Sequence, residues 1–153
     1  MVRKVPPIYY QMMMHCMATD KYVFVKSYPK FGGETFLPIV DVELGESLVP
    51  VLVRDFGERN IDISVHKVYK IDKFKNIKPN SWFGYELYNL VIVDLDEYVD
   101  VTEISLTNGW GYMTVSWDKL VKMKNELLYG EPLKVAELFD AEQKRRIKAG
   151  LAA

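Results

Sequence analysis

The segment spanning residues 36–60 constrains the fold of this chain more than any other part of the sequence. An extended apolar run leads into Gly45, and a segment that could form either a strand or a helix follows from Ser47. Its β-branched side chains alone would favour a strand. The helix is favoured because Ser47 can cap its N-terminus and Pro50 then falls in the first turn, where a missing N–H is tolerated. We predict that residues 47–59 are helical.

In this predicted helix, apolar and charged side chains lie on different sides. The buried face would carry Leu48, Val51, Leu52 and Phe56. Arg54, Asp55 and Glu58 fall on the other side, and Asp55 and Glu58 are three residues apart and therefore neighbours. The segment thus predicts an amphipathic helix with two carboxylates exposed together.

The charged residues of this segment follow the spacing of a known signature. Glu46 is followed by Arg54 after seven intervening residues, then directly by Asp55 and, three positions later, by Glu58. The arrangement resembles the Nudix box, Gly-x5-Glu-x7-Arg-Glu-U-x-Glu-Glu-x-Gly-U, in which U is aliphatic. The flanking Leu37-Pro38 and the Gly-Glu-Ser at 45–47 are similar to the family's Leu-Pro-Gly-Gly and Gly-Glu-Ser. The resemblance implies the Nudix fold over roughly residues 8–128.

The resemblance also implies a chemistry. Nudix enzymes cleave a nucleoside diphosphate linked to another group, with Mg²⁺ or Mn²⁺ neutralising charge on the phosphate oxygens during attack by water. The implied catalytic residues are Glu46, Arg54, Asp55 and Glu58. Of these four residues, Asp55 and Glu58 would bind metal, and Glu46 and Arg54 would form a salt bridge that braces the loop against the helix. Outside the box, Glu103 is the nearest candidate for a further metal ligand. Mg or Mn is the expected cofactor if the chain is active, and otherwise none is expected.

Several positions depart from the box. Ile39-Val40 replace two glycines and favour plain strand geometry, because both residues are β-branched. Arg59 replaces a metal-binding carboxylate with a fixed positive charge, and Ile61 stands where the closing glycine belongs. Asp55 is one methylene shorter than glutamate, which withdraws its carboxylate by about 1.5 Å, one bond length. We therefore expect an eroded metal site.

Bulk properties place the chain among ordinary globular proteins. It has 153 residues, 27% charged side chains and a formal net charge of −1, which argues against coating nucleic acid by bulk electrostatics. A single cysteine, Cys16, rules out an intrachain disulfide and fits a reducing compartment. No run of residues approaches the length of a membrane span. The expectation is a cytoplasmic, soluble protein without membrane partners.

The order of predicted elements is strands, helix, strands, helix, helix. Strands are expected at residues 8–17, 22–26, 35–42, 61–71 and 81–94, and residues 112–115 are expected to pair back after a tight turn at Asn108-Gly109. A second helix would open at Trp117 with a stripe formed by Leu120, Val121, Met123, Leu127 and Leu128, and a last helix would cover residues 133–148. This pattern predicts an α/β (α+β) fold, a mixed sheet sandwiched between helices with an extra C-terminal helix. We expect one domain over residues 1–153, with a core at about 8–128 and a helical extension at 129–153.

A second candidate site contains lysines and aromatics after His66. Lys67, Lys70, Tyr69 and Trp82 could bind a phosphate or a short single strand of nucleic acid. The alternative, which we favour, is a solvated strand whose lysines discourage edge pairing. In the same way, the basic run at 144–148 is expected to be a solvated helix terminus stabilised by the helix dipole.

Two further groups of residues favour structural roles. The methionines at 12, 13, 14 and 17 are expected to fill a core strand. His15 and Cys16 are adjacent and so face opposite ways in a strand, which excludes a nucleophile–base pair between them.

Three functional hypotheses remain open from the sequence. The first is a Nudix-fold protein that has lost efficient hydrolysis and binds a nucleotide or nucleoside diphosphate derivative, RNA or a protein partner. The second is a divergent Mg²⁺- or Mn²⁺-dependent hydrolase that uses Glu46, Asp55, Glu58 and either Asp41 or Glu43. The third is a structural subunit of an assembly, which a conspicuous exposed apolar patch would favour.

Overall fold

The computed structural model describes residues 8–27, 35–72, 78–80, 84–96, 110–127 and 132–151. In these residues eight strands and three helices form. They are β1 (Ile8–Cys16), β2 (Lys21–Ser27), β3 (Thr35–Phe36), β4 (Ile39–Val42), α1 (Leu48–Gly57), β5 (Val65–Asp72), β6 (Lys78–Asn80), β7 (Gly84–Leu95), β8 (Trp110–Ser116), α2 (Trp117–Lys122) and α3 (Pro132–Lys148). The short strand β6 was not predicted, and β5 begins four residues later than expected from the sequence.

The sheet is mixed because β1 and β7 pair in parallel, in continuous register from Ile8–Leu87 to Cys16–Leu95. The other neighbours pair antiparallel: β2 with β1 and β8, and β5 with β7. Strand β4 pairs with the first half of β1, and β3 pairs with the second half of β2. Helix α1 packs on one face of the sheet, while α2 and α3 pack on the other. The predicted sandwich of a mixed sheet between helices is confirmed.

Strand β1 separates two hydrophobic cores, because its successive side chains point to opposite faces. Met12 and Met14 face the core that contains Phe56 of α1. Met13 faces the core that contains Leu138 of α3. All three methionines are fully buried, as predicted, whereas Met17 lies in the turn after β1 and is 40% exposed. The prediction that Met17 belongs to the core strand is wrong.

Helix α1 forms despite its β-branched residues and begins where the sequence predicted. Ser47 occupies the N-cap with extended backbone, although its side chain makes no capping hydrogen bond. The helix ends at Gly57, two residues before the predicted end. Asn60 adopts a left-handed conformation (φ 62°), and Ile61 N–H donates to the Phe56 carbonyl at 3.0 Å. With the Asn60 N–H bonded to the Gly57 carbonyl, this is the pattern of a Schellman motif, which terminates the helix.

The second helix is shorter than predicted. It ends at Lys122, and a 3₁₀ turn at Lys124–Glu126 follows. Val121 is 43% exposed and does not belong to the buried stripe, and Leu128 lies outside the described residues. Ser116 is its N-cap, because the Ser116 side chain accepts a hydrogen bond from Lys119 N at 3.3 Å. Within the described residues, none of the helices combines the length and the apolar character needed to cross a bilayer.

Helix α3 carries an unexpected polar face. Beyond Leu138 and Phe139 its buried side continues with Glu142 and Arg146, whereas Ile147 is 59% exposed. The α3 network, as we call it, contains His15, Asp20, Tyr22, Asp94, Glu142, Arg145 and Arg146. Arg145 donates to Asp94 Oδ2 at 2.9 Å and to Glu142 Oε2 at 2.8 Å. The prediction of a solvated basic terminus is therefore wrong for Arg145 and Arg146, although Lys144 and Lys148 are exposed.

We predict that Arg145→Ala destabilises the protein far more than Lys144→Ala. Arg145 neutralises two carboxylates, Asp94 and Glu142, whose side chains are 5% and 0% exposed. Removing one partner of a buried ion pair leaves uncompensated charge and costs about 3–5 kcal/mol. Lys144 lies one residue away on the solvent side and serves as the matched control. Urea unfolding of both variants measures the difference, and equal losses of stability would contradict the prediction.

Candidate active site

The loop before α1 is shaped by a turn and held by one carboxylate. Gly45 has φ 89°, a left-handed value that favours glycine, and Glu46 N–H donates to the Glu43 carbonyl at 2.9 Å. The Glu46 carboxylate then accepts two hydrogen bonds, from Glu43 N at 3.2 Å and from Arg54 Nη1 at 2.7 Å. The predicted salt bridge between Glu46 and Arg54 is present. It joins the loop to the helix.

The ion pair between Arg54 and Glu46 lies near the surface of the protein. The side chains of Arg54 and Glu46 are 53% and 30% exposed. The hydrogen bond from Arg54, assisted by that from Glu43 N, lowers the pKa of Glu46, and the same bond raises the pKa of Arg54. Because exposed ion pairs are weakened by solvent and salt, the pair positions the loop rather than contributing much to global stability.

Asp55 lies where negative charge accumulates. Its Oδ1 atom is 3.5 Å from Arg54 Nε, and its side chain is 30% exposed. Burial raises the pKa of Asp55, Arg54 opposes this shift, and the charges of Glu58 and Asp41 reinforce it. Asp41 stands on β4, so carboxylates from the strand and the helix act on the same point. We call the surface formed by Asp41, Glu46, Arg54, Asp55, Glu58 and Arg59 the box face.

Arg59 lies in the turn after α1, beside an aromatic stack. The rings of Phe56 and Tyr112 are stacked, with centroids 4.0 Å apart and planes 10° apart. The guanidinium carbon of Arg59 is 6.0 Å from the centroid of Tyr112. Burial lowers the pKa of Arg59, with the charges of Tyr112 and Glu58 opposing that shift, and burial raises the pKa of Tyr112 to about 12.

Tyr112 was missed by the sequence reasoning. It lies on β8, and its position beside α1 depends on the pairing of Val25 with Tyr112 in the β2–β8 ladder. No local pattern around residue 112 signals a partner more than 50 positions upstream. The available signal was the tight-turn dipeptide at residues 108–109, and it predicted only that residues 112–115 form a strand.

The two residues in place of the box glycines form ordinary strand structure, as predicted. Ile39 and Val40 belong to β4 and pair with Gln11 and Tyr10 of β1. Val40 is buried in the core beneath α1. At least Val40 therefore contributes to core packing at a point where the box pattern has two glycines.

The described side chains that could act as metal ligands do not by themselves form a metal site. Over the described ranges, no group of three or more His, Cys, Asp or Glu side chains is arranged so that it could hold a metal ion. Asp55 and Glu58 are brought to the same end of α1, and Asp41 acts on Asp55 through its charge. Glu103, the candidate for a further ligand, lies outside the described residues.

The second candidate site is divided between the faces of the sheet. Tyr69 packs against the core beneath α3, and Lys67 Nζ lies 4.8 Å from the centroid of its ring. Val68 packs against the core beneath α1, so the alternation of side chains places Lys70 on that side. Trp82 lies outside the described residues. Lys67 and Tyr69 thus lie on the sheet face opposite the box helix, and Lys70 lies on the same face as the helix.

Comparison with known proteins identifies the fold. No protein-family model and no curated protein matches this chain. Among solved structures, a NUDIX hydrolase from Nitrosomonas europaea is 16% identical, with 90% of both chains covered and a TM-score of 0.54. A structure from a study of MutT from Aliivibrio salmonicida and Vibrio cholerae is 16% identical over 86% of this chain and 96% of that chain, with a TM-score of 0.53. An ADP compounds hydrolase is 13% identical over 95% of this chain and 76% of that chain, with a TM-score of 0.62. This chain has the Nudix fold that its box predicted.

We predict opposite effects for alanine at two glycines of this site. Gly45→Ala should destabilise the protein by about 1–2 kcal/mol, because its left-handed backbone disfavours a Cβ atom. Gly57→Ala should instead stabilise the protein by up to about 1 kcal/mol. Gly57 is the last residue of α1, and alanine favours helical backbone more than glycine does. A Cβ atom meets nothing within 4 Å at either position, so steric clashes do not contribute to the difference between the two variants. Chemical denaturation measures both changes, and two changes of the same sign would contradict this account of the loop.

Proposed function

We propose that this chain is a Nudix-fold protein that binds a nucleotide or nucleoside diphosphate derivative on the box face and hydrolyses it poorly. One observation carries the proposal. The brace that positions the box loop is intact at 2.7 Å between Arg54 and Glu46, whereas a guanidinium, Arg59, follows Glu58 where the box pattern has a second carboxylate. A binding surface is kept while a ligand for the catalytic cation is replaced.

The charge of the site supports weak metal binding. Asp55 and Glu58 beside Arg59 leave a net charge of about −1, where three carboxylates would leave about −3, and affinity for hard cations follows ligand charge. Mg²⁺ or Mn²⁺ would be the cofactor if the chain is active. The proposed setting is a single cytoplasmic domain, with RNA or a protein partner as the other ligands that an inactive box face could serve.

A divergent hydrolase is the alternative, and the environment of Asp55 favours it. Burial is the main cause of the raised pKa of Asp55, Arg54 opposes it, and the negative charges of Glu58 and Asp41 add to the rise. A cation at this point would relieve the repulsion. Asp41 would then act as the displaced ligand considered from the sequence, and the hydrolases with the same fold make this reaction class the natural comparison.

A structural subunit is the third candidate. Leu44 in the box loop is 82% exposed, and Val49 and Val53, four residues apart on α1, are 38% and 42% exposed. These side chains give the solvent-exposed surface of α1 and of the loop before it an apolar character that an assembly partner could cover.

We predict that Arg59→Glu increases Mg²⁺ affinity and turnover relative to the wild-type chain. The substitution removes a positive charge and adds a carboxylate, whereas Arg59→Gln removes the charge alone and separates the two effects. Isothermal titration with Mg²⁺ and Mn²⁺ measures the affinity. Hydrolysis is assayed with nucleoside triphosphates, dinucleoside polyphosphates, nucleotide sugars and capped RNA. We expect wild-type turnover well below about 1 s⁻¹, the low end of ordinary enzymes.

The same assay distinguishes the alternatives. Wild-type turnover of about 1 s⁻¹ or more that disappears in Glu58→Gln would establish the hydrolase and overturn the proposal of poor activity. Binding of a nucleotide without turnover, weakened by Glu58→Gln or Arg59→Gln, would support the proposal. Absence of binding to every compound in the panel would contradict a nucleotide ligand.

A further inference from the structure

The α3 network contains a histidine whose two ring nitrogens face several charged groups. His15 stands near the end of β1 with its side chain only 6% exposed. Its Nε2 atom is 2.7 Å from Asp20 Oδ1, in the turn between β1 and β2. Its Nδ1 atom is 3.3 Å from Asp94 Oδ1 on β7 and also 3.3 Å from Arg145 Nη2 on α3.

The two neighbours of Nδ1 require opposite protonation states. A protonated Nδ1 donates to the Asp94 carboxylate and cannot accept from Arg145. A deprotonated Nδ1 accepts from the Arg145 guanidinium and leaves Asp94 without the imidazole donor. Because a guanidinium keeps its proton, the state of His15 decides which of these contacts forms. The ring therefore has two arrangements within one set of partners.

The charges of the network balance only when the ring is protonated. Three carboxylates, Asp20, Asp94 and Glu142, face two guanidinium groups, Arg145 and Arg146. Tyr22 donates to Glu142 at 2.8 Å and accepts from Arg146 at 3.1 Å, and burial together with the Glu142 charge raises the pKa of its hydroxyl, so it stays neutral. An imidazolium supplies the third positive charge. A neutral imidazole leaves one negative charge in excess.

We propose that His15 is a proton-operated latch that holds helix α3 on the sheet. In its closed state the imidazolium bridges Asp20 and Asp94, which are the same carboxylates that bind Arg146 and Arg145 of α3. Loss of the ring proton unbalances this set and loosens the helix. Since α3 contributes Leu138 and Phe139 to the core, loosening it uncovers that face of the sheet.

The direction of the pH effect follows from the surroundings of the ring. Burial alone would lower the pKa of His15, but the hydrogen bonds to Asp94 and Asp20 and the charges of Glu142 and Asp94 outweigh it and raise the pKa above 6.5. A raised pKa in the folded state stabilises the fold fully below the unfolded pKa. That stabilisation is lost as the pH rises through the folded value. The latch is therefore closed in mildly acidic solution and opens on the alkaline side.

Two measurements on the full chain test the latch. The chain has two histidines, so ¹⁵N NMR of the imidazole rings resolves His15 from the exposed His66, with His66→Gln providing the assignment and the matched control. We expect His15 to titrate with a midpoint above 6.5, the unperturbed value. Over the same pH range, the hydrogen-exchange protection of α3 amides, corrected for intrinsic rates, should fall several-fold more than that of β7 amides.

Variants then assign the effect to His15. In His15→Gln the pH-dependent loss of α3 protection should disappear, whereas His66→Gln should retain it. A midpoint at or below 6.5 in the wild-type chain would overturn the latch, as would α3 protection that follows β7 across the titration. The wild-type measurements decide the question even if His15→Gln does not fold, and persistence of the pH dependence in a folded His15→Gln would also overturn it.

Discussion

The parallel pairing of β1 with β7 is the constraint on which the rest of the structure depends. Its continuous register places β1 in the interior of the sheet, where its side chains are buried on both faces from Gln11 to Cys16. A strand buried in this way must supply two cores, and the methionines at 12, 13 and 14 do so by alternation. The same register brings His15 opposite Asp94, which creates the starting point of the α3 network. One strand pairing thus supports α1 on one face and anchors α3 on the other.

The ion pairs on the two faces of the sheet differ in how far they are exposed to solvent. On the box face, Arg54 and Glu46 meet in solvent, where their attraction is screened and its main effect is to fix the box loop. Beneath α3, Arg145 meets carboxylates that are almost fully buried, so each charge depends on its partners for solvation. A substitution in the first pair therefore acts locally, whereas one in the second acts on the whole fold.

Sequence reasoning succeeded where the information is local. Helix α1 begins at the position that Ser47 and Pro50 indicated, although the Ser47 side chain makes no capping hydrogen bond, because the start of a helix is signalled by adjacent residues. The salt bridge between Glu46 and Arg54 was predicted from the resemblance to the Nudix box, whose residues also lie close together in the sequence. It failed for Arg145 and Arg146, whose basic neighbours suggested a solvated helix end. Their partners Asp94 and Asp20 lie 51 and 126 positions away, and only the packing of α3 across the sheet brings them together.

The end of α1 shows why one substitution in the box cannot be considered alone. Asn60 takes the left-handed conformation that ends the helix, one position before the place where the box pattern has its glycine. Arg59 consequently lies in the terminating turn beside Tyr112, and not within the helix that presents Asp55. The change of charge at residue 59 and the change of backbone at residues 60–61 therefore act together. A carboxylate at position 59 would have the charge that the box pattern has there, but it would lie in the turn that ends the helix, next to the left-handed Asn60.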